Sequence, residues 1–318
     1  MLLPAERKLL YWLDRNARAT NRELAKRIHK SAQAAAAMIQ RLTAEGVLKA
    51  CVTLVNTPAL GFTHYKVFVK LRSASEDTEK SMIKYLVQQP SIRWVGRLGG
   101  QYDLSFSVLA QTAQEFSDVY TGFESGFGTY LQQKNVLVLL SAPAFTREYL
   151  LDKSEATVLR YGRQASTPKI DETDKKILKV ISQQARIHIL DLARQARVTV
   201  DIAKYHLKRL REQGVISGFT VFLDLAKAGY EYYSVLCTMH NLQENARKQL
   251  LEFGRTTPGI HHAGFVIGSH DVHLEVEVTN YVQLTEILKK FKLQFADHLV
   301  QYETLRVLEE FKYDFYPF

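Results

Sequence analysis

Leu9, Leu10 and Leu13 recur at helical spacing between residues 4 and 16, and Pro4 suits a first helical turn, so a helix is predicted there. Thr20 and Glu23 have the spacing of a capping box and predict a second helix over 21–28. After His29 and Lys30, Ser31 caps a third helix that runs to about residue 45 and stops at Gly46, which tolerates the left-handed backbone of a helix end. A β-rich stretch, 47–55, follows. Three short helices with a tight turn between the last two, then a strand, read as a winged helix-turn-helix. On the third helix Ala35, Ile39 and Leu42 are spaced to face inward, which turns Ala32, Gln33, Ala36, Ala37, Gln40 and Arg41 outward.

Beyond this unit the apolar period changes from helical to alternating. Residues 64–71 alternate as a strand, 79–88 read as a helix, and 92–98 and 102–108 as two strands around Gly99, Gly100 and Gln101. A helix over 113–123 and a strand over 135–141 complete the series. The order β-α-β-β-α-β is that of a ferredoxin-like split unit, with helices on one face of an antiparallel sheet.

The whole pattern then repeats without a gap. Raising a residue number by 168 takes Leu10 to Leu178, Arg18 to Arg186, Gly46 to Gly214, Gly61 to Gly229, Pro90 to Pro258, Gly100 to Gly268 and Asp103 to Asp271. The expected fold class is therefore α+β, two copies of a winged helix-turn-helix followed by a ferredoxin-like domain. The expected domains are 1–60 and 61–150, a connector over 151–168 that includes Gly162, Ser166 and Pro168, then 169–228 and 229–318. A unit of this length is a duplicated domain pair, far above solenoid periods.

The copies differ where they would meet a partner. In the second, the outward positions of the third helix are Val200, Asp201, Lys204, Tyr205, Lys208 and Arg209, behind a capping Thr199. That set reaches phosphates and base edges, whereas the alanine-rich first helix offers few long hydrogen-bonding side chains. Candidate DNA contacts are accordingly Ser31, Gln33, Gln40, Arg41, Thr199, Lys204, Tyr205, Lys208 and Arg209, with the first helix the poorer reader. A net charge of +9 agrees with a polyanionic partner, double-stranded DNA.

Other chemistry is sparse. Cys51 and Cys237 belong to no CxxC or Cys/His arrangement and read as packing residues in a reducing cytoplasm; neither secretion nor membrane spanning is expected. His261, His262, His270 and His273 cluster without matched companions in the first copy, so they are expected to be ordinary strand-surface histidines and no metal site is predicted. No nucleophile-base constellation or phosphate-cradling loop stands out, so neither catalytic residues nor a cofactor is expected.

The order of elements, with Gly-Gln-Tyr-Asp at 100–103 and Gly-Ser-His-Asp at 268–271, resembles the Lrp/AsnC, or feast/famine, transcription regulators over nearly the whole chain, each copy matching one full-length member. The likeness is strongest over 169–229. It implies a cytoplasmic, sequence-specific DNA-binding regulator whose sheets pair into dimers, here as a homo-oligomer or an intrachain pseudo-dimer. It further implies a small effector such as an amino acid near the Gly-x-x-Asp hairpins, which makes Gly100, Asp103, Gly268 and Asp271 candidate effector residues. The chain departs from the family where His29 and Arg197 stand in a turn that usually carries glycine, and where Met38 and His206 replace a recognition-helix arginine. Two rival readings share the fold: a siroheme decarboxylase-like tetrapyrrole enzyme, of which His64 and Tyr65 are a partial echo, and a co-regulator that does not bind DNA.

Overall fold

The computed structural model describes residues 2–162, 164 and 167–318. In the first copy α1 (Pro4–Arg15), α2 (Asn21–Ile28) and α3 (Ala32–Ala44) lead into β1 (Leu48–Val55). The sheet domain follows as β2 (Thr63–Leu71), α4 (Glu76–Gln88), β3 (Ile92–Gly99), β4 (Leu104–Ala110), α5 (Ala113–Phe127) and β5 (Leu131–Ser141). Two short strands, β6 (Ala144–Phe145) and β7 (Val158–Leu159), precede the second copy. That copy begins with α6 (Glu172–Ile181), α7 (Ile189–Ala196), α8 (Val200–Glu212), β8 (Ile216–Leu223) and α9 (Leu225–Ala228). It continues with β9 (Glu231–Met239), α10 (Glu244–Thr256), β10 (Ile260–Ile267), β11 (Val272–Val278), α11 (Tyr281–Gln294) and β12 (Leu299–Tyr313). Thr20, Ser31 and Thr199 cap the helices they precede. His29 and Arg197 take the left-handed backbone in the turn between the second and third helices, the conformation for which glycine is the usual choice.

The strand after each helix-turn-helix pairs across the duplication. β1 runs antiparallel to β8, with Val52 opposite Thr220, so neither wing strand is half of a hairpin of its own. Reciprocal hydrogen bonds finish the lock: Ala17 N donates to Phe219 O at 2.9 Å and Ala185 N to Cys51 O at 2.8 Å. Arg18 Nη1 donates to Ala185 O and Arg186 Nη1 to Ala17 O, both at 2.6 Å. These contacts have matching partners under the repeat, so the two helix-turn-helix units form one pseudo-two-fold platform. Cys51 is half-buried there and Cys237 is buried under α10 and α11; burial raises both thiols, that of Cys51 to about 11.

The eight sheet strands close on themselves. Within the copies the orders are β3-β4-β2-β5 and β10-β11-β9-β12, and the seams β3–β12 and β5–β10 join them into a ring. Closure removes the open edges that two separate sheets would expose. Alternation gives each strand two duties. Val67, Val69, Val95 and Phe106 face outward under α4 and α5, and Val235, Cys237, Leu274 and Val276 do so under α10 and α11. Phe68, Leu98, Leu137, Leu236, Val266 and Leu305 fill the inside.

The stretch expected as a connector, 151–168, is exposed over 152–155 and packs in only near Tyr161, while the residues just before it are buried. Tyr149, Leu150 and Tyr161 are buried, and β6 pairs with β10 at Ala144 and His262. Arg163, Ala165 and Ser166 lie outside the described residues.

Candidate nucleic-acid interface and interior site

On α8, Ala203 and Leu210 are buried, which turns Lys204, Tyr205 and Lys208 to the surface. Tyr205 is 60% exposed, and Lys204 has no ionic partner among the described residues. Lys208 makes only a loose pair with Glu212, at 3.7 Å. Arg209 is different: its guanidinium reaches Asp171 at 2.6 Å and also holds Asp174, both at the start of α6. The first copy repeats the arrangement with Arg41 on buried Glu6. Both arginines thus tie a recognition helix to the first helix of its own unit, a duty invisible in the outward pattern alone. Gln33 and Gln40 are exposed on α3, and the hydroxyls of Ser31 and Thr199 accept from the backbone at Ala34 and Ile202.

A basic groove runs beside α8. Lys204, Lys208 and Arg211 line it with Arg18, which comes from the first copy. Burial, then Arg186 and Arg211, lower the Arg18 pKa, the mark of several cations held together. At the start of α6 Asp171 and Asp174 converge with His206, whose Nδ1 is 2.7 Å from Asp174 Oδ1. Arg209 bonds both carboxylates and shares the cluster with His206.

Gly100 and Gly268 lie on the seams between copies. Both have positive φ, +125° and +148°, and a Cβ at Gly268 would come within 2.6 Å of Val136 O on the other copy. A Cβ at Gly100 would meet Leu305 at 3.3 Å. Asp103 accepts from Leu71 N at 2.7 Å and pairs with Lys70, and Asp271 accepts from Met239 N at 2.8 Å. These four residues shape the hairpins and stand apart from the residues that line the interior cavity.

A polar cluster sits among the apolar residues inside the ring. Lys66 of β2, only 4% exposed, meets Glu275 of β11 at 2.8 Å, and its ammonium lies 4.9 Å above the Trp94 ring. His262 Nδ1 sits 2.9 Å from the other Glu275 oxygen, and Ser234 bonds His273 at 2.7 Å. Burial alone would raise the Glu275 carboxyl, but Lys66 with His262 and His273 holds it well below the usual range. Burial keeps His261 and His273 neutral, their pKa values well below normal. The histidine cluster is therefore not a strand surface: His261, His270 and His273 are buried and His262 is mostly so. The pattern of one copy cannot show that the other copy's sheet covers that face.

Toward the helix-turn-helix platform the polar cluster continues. Arg147 Nη1 bonds Asp14 of α1 at 2.7 Å, while Nε and Nη2 take both oxygens of Glu277 on β11 at 2.8 and 2.9 Å. Tyr149 donates to the same carboxylate, and Asp14 also accepts from Thr220 of β8 at 2.7 Å. His261 donates from Nδ1 to Phe145 O at 2.9 Å, which leaves Nε2 to accept from Arg147 at 3.2 Å. Beside the Lys66 pair is a cavity of about 50 Å³ whose lining includes His64, Lys66 and Ser107 together with Leu54 of β1, Tyr161 and Phe315. His64, His262 and His273 of its lining were named from the sequence but not as one site, and Arg147 was not named. The unusual run of charged residues at alternate strand positions, Glu275 and Glu277, was the available signal.

Paired helix-turn-helix units on a closed α+β base define the class, the winged helix-turn-helix transcription regulators. The family model for winged helix-turn-helix DNA-binding matches residues 2–49 and 170–217. The HTH-type transcriptional regulator AldR of Mycolicibacterium smegmatis is 30% identical over 128 residues, 39% of this chain and 71% of that protein. Regulatory protein AsnC of Haemophilus influenzae is 26% identical over 139 residues, 43% of this chain and 89% of its own. The chain belongs to the Lrp/AsnC family of DNA-binding transcription regulators, in tandem-duplicated form. Among solved structures, the siroheme decarboxylase NirDL, crystallised with an iron-uroporphyrin III analogue, aligns over 98% of this chain and 93% of its own with a TM-score of 0.61 at 13% identity, a likeness of fold. No described helix is long and apolar enough to cross a membrane.

Proposed function

We propose that one chain acts as the family's two-fold DNA-binding unit, a pseudo-dimer that reads double-stranded DNA mainly through α8 and answers to a small molecule. The observation that carries this is the pairing of β1 with β8, which fixes two helix-turn-helix units in one platform. Lys204, Tyr205 and Lys208, with Thr199 at the helix start, would contact bases and phosphates, while Arg18 and Arg211 line the adjoining groove. Ser31, Gln33 and Gln40 would make the lesser contribution of α3. Arg41 and Arg209 would act through positioning. The hairpins bearing Gly100 with Asp103 and Gly268 with Asp271 would report an effector bound at the seams. Footprinting on DNA upstream of its own coding region tests the reading: protection that shrinks on the α8 side in Lys204→Ala/Lys208→Ala supports it, and no protection overturns it.

The enzyme reading draws support from the likeness in fold, and it would require the interior cavity to enlarge. A cavity of about 150 Å³ takes a single benzene, whereas this one measures about 50 Å³ and a tetrapyrrole carries four rings and their acid arms. A saturable visible band on titration with siroheme would favour the enzyme.

A further inference from the structure

His64 carries a buried polar atom that the fold leaves without a partner. The residue is 6% exposed, its Nδ1 lies 3.0 Å from the Tyr161 hydroxyl, and Nε2 has no partner. The direction of that hydrogen bond follows from the next link. Thr57 Oγ1 is 2.7 Å from the Tyr161 hydroxyl and wholly buried, and the tyrosine oxygen is the sole side-chain acceptor within reach among the described residues. Thr57 therefore donates to Tyr161 and Tyr161 donates to His64 Nδ1. Nε2 then bears the hydrogen, an unanswered donor on a residue that lines the cavity.

The rest of the lining narrows what would answer it. Lys66 supplies a positive charge beside His64, and Ser107 and Tyr313 add hydroxyls. Glu275, the strongest acceptor there, already faces Lys66 and His262. Leu54, Leu139 and Ala142 add aliphatic lining, Leu139 as the cross-strand neighbour of His64. A site lined by both donors and aliphatic side chains suits an anion with a small apolar tail. Phosphate and sulfate have no apolar side and bring a larger charge to desolvate. At about 50 Å³ the space exceeds what one water needs, about 10–15 Å³, and is a third of what a benzene takes.

We propose that this cavity binds a small monocarboxylate of the size of formate or acetate, its oxygens on His64 Nε2–H and Lys66 and its carbon against Leu54 and Ala142. The duplication makes such a site feasible in one place only. Under the repeat His64 and Lys66 correspond to Tyr232 and Ser234, and Glu275 to Ser107, so a pair of identical chains would not build it. Leu54 belongs to β1, the strand that pairs the two helix-turn-helix units, so an occupant touches the DNA-binding platform directly.

The test uses the full chain without DNA, so its result is independent of the DNA-binding reading. Acetate and formate are titrated by calorimetry, with the ¹⁵N signals of the imidazoles followed in parallel. Saturable one-to-one binding that shifts the His64 Nε2 resonance, and weakens at least tenfold in Ala142→Leu, which fills the space and keeps His64, is the expected result. His64→Leu is the second variant, and its fold is checked by circular dichroism. Water alone in the cavity, seen as no saturable uptake and an unmoved His64 signal, overturns the proposal. So does binding that survives Ala142→Leu unchanged, or benzoate binding as tightly as acetate.

Discussion

Lys66 and Glu275 meet at 2.8 Å inside the ring, one from each copy, and the positions that correspond to them under the repeat, Ser234 and Ser107, carry no charge. The pair thus occurs once in a molecule built from two similar halves. Lys66→Met would leave a buried carboxylate without its counter-ion and should cost about 3–5 kcal/mol in urea unfolding. Lys66→Met combined with Glu275→Leu should recover most of that loss. If the double variant is as unstable as the single one, the ion pair is not what holds the two sheets' interior together.

Arg147 joins three elements distant in sequence, α1, β8 and β11, through Asp14, Val221 O and Glu277. Glu277 and Asp14 hold its guanidinium protonated against the cost of burial. Arg147→Met should cost about 3–5 kcal/mol and raise amide exchange in α1 and β11 together. Faster exchange confined to one of the two would mean that the network does not couple the platform to the ring.

Acid should weaken the fold through His64. Burial, with Lys66 next, pushes its imidazole down to about 3, against about 6.5 when unfolded. Its neutral form is favoured in the native state, so its contribution is complete above the unfolded value and falls as the pH drops from there toward the folded one. At pH 5 the loss is about 2 kcal/mol relative to pH 7.5. Glu310, raised by burial to about 7, acts in the opposite sense, losing stability as the pH rises between its unfolded and folded values. Comparing urea midpoints of the parent and His64→Gln across pH 5–7.5 isolates the first effect: the variant's profile should be flatter on the acid side. Parallel profiles would show that His64 is not buried neutral.

Much of this architecture was legible in the sequence because apolar periodicity reports on each element's own face. The helix-turn-helix units, their caps at Thr20, Ser31 and Thr199, and the β-α-β-β-α-β order all follow from local pattern, and the repeat linked Gly100 to Gly268. What one copy's pattern cannot carry is what the other copy covers. His261 and His273 read as surface residues until the second sheet closes over them, and Arg41 and Arg209 as free cations until Glu6, Asp171 and Asp174 come beside them. Tyr161 looked like part of a linker, yet its hydroxyl orients His64.

The arginine assignments separate two kinds of variant on the second recognition helix. Arg209→Ala should lower the unfolding midpoint, since Asp174 is fully buried and loses its cation. Lys204→Ala and Lys208→Ala, at exposed positions, should leave stability within about 0.5 kcal/mol. A destabilised Lys204→Ala would place that side chain in the fold and not at the DNA.

The reading as a DNA-binding regulator is tested most directly by the salt dependence of binding to its own upstream DNA. Each phosphate contact contributes about −0.9 to the slope of log affinity against log salt. Lys204→Ala/Lys208→Ala is predicted to bind more weakly and to flatten that slope by about 2, with Gln33→Ala/Gln40→Ala changing it little. Affinity that is equally salt-dependent in parent and lysine variant, or absent in both, would contradict the assignment of α8 as the reading helix.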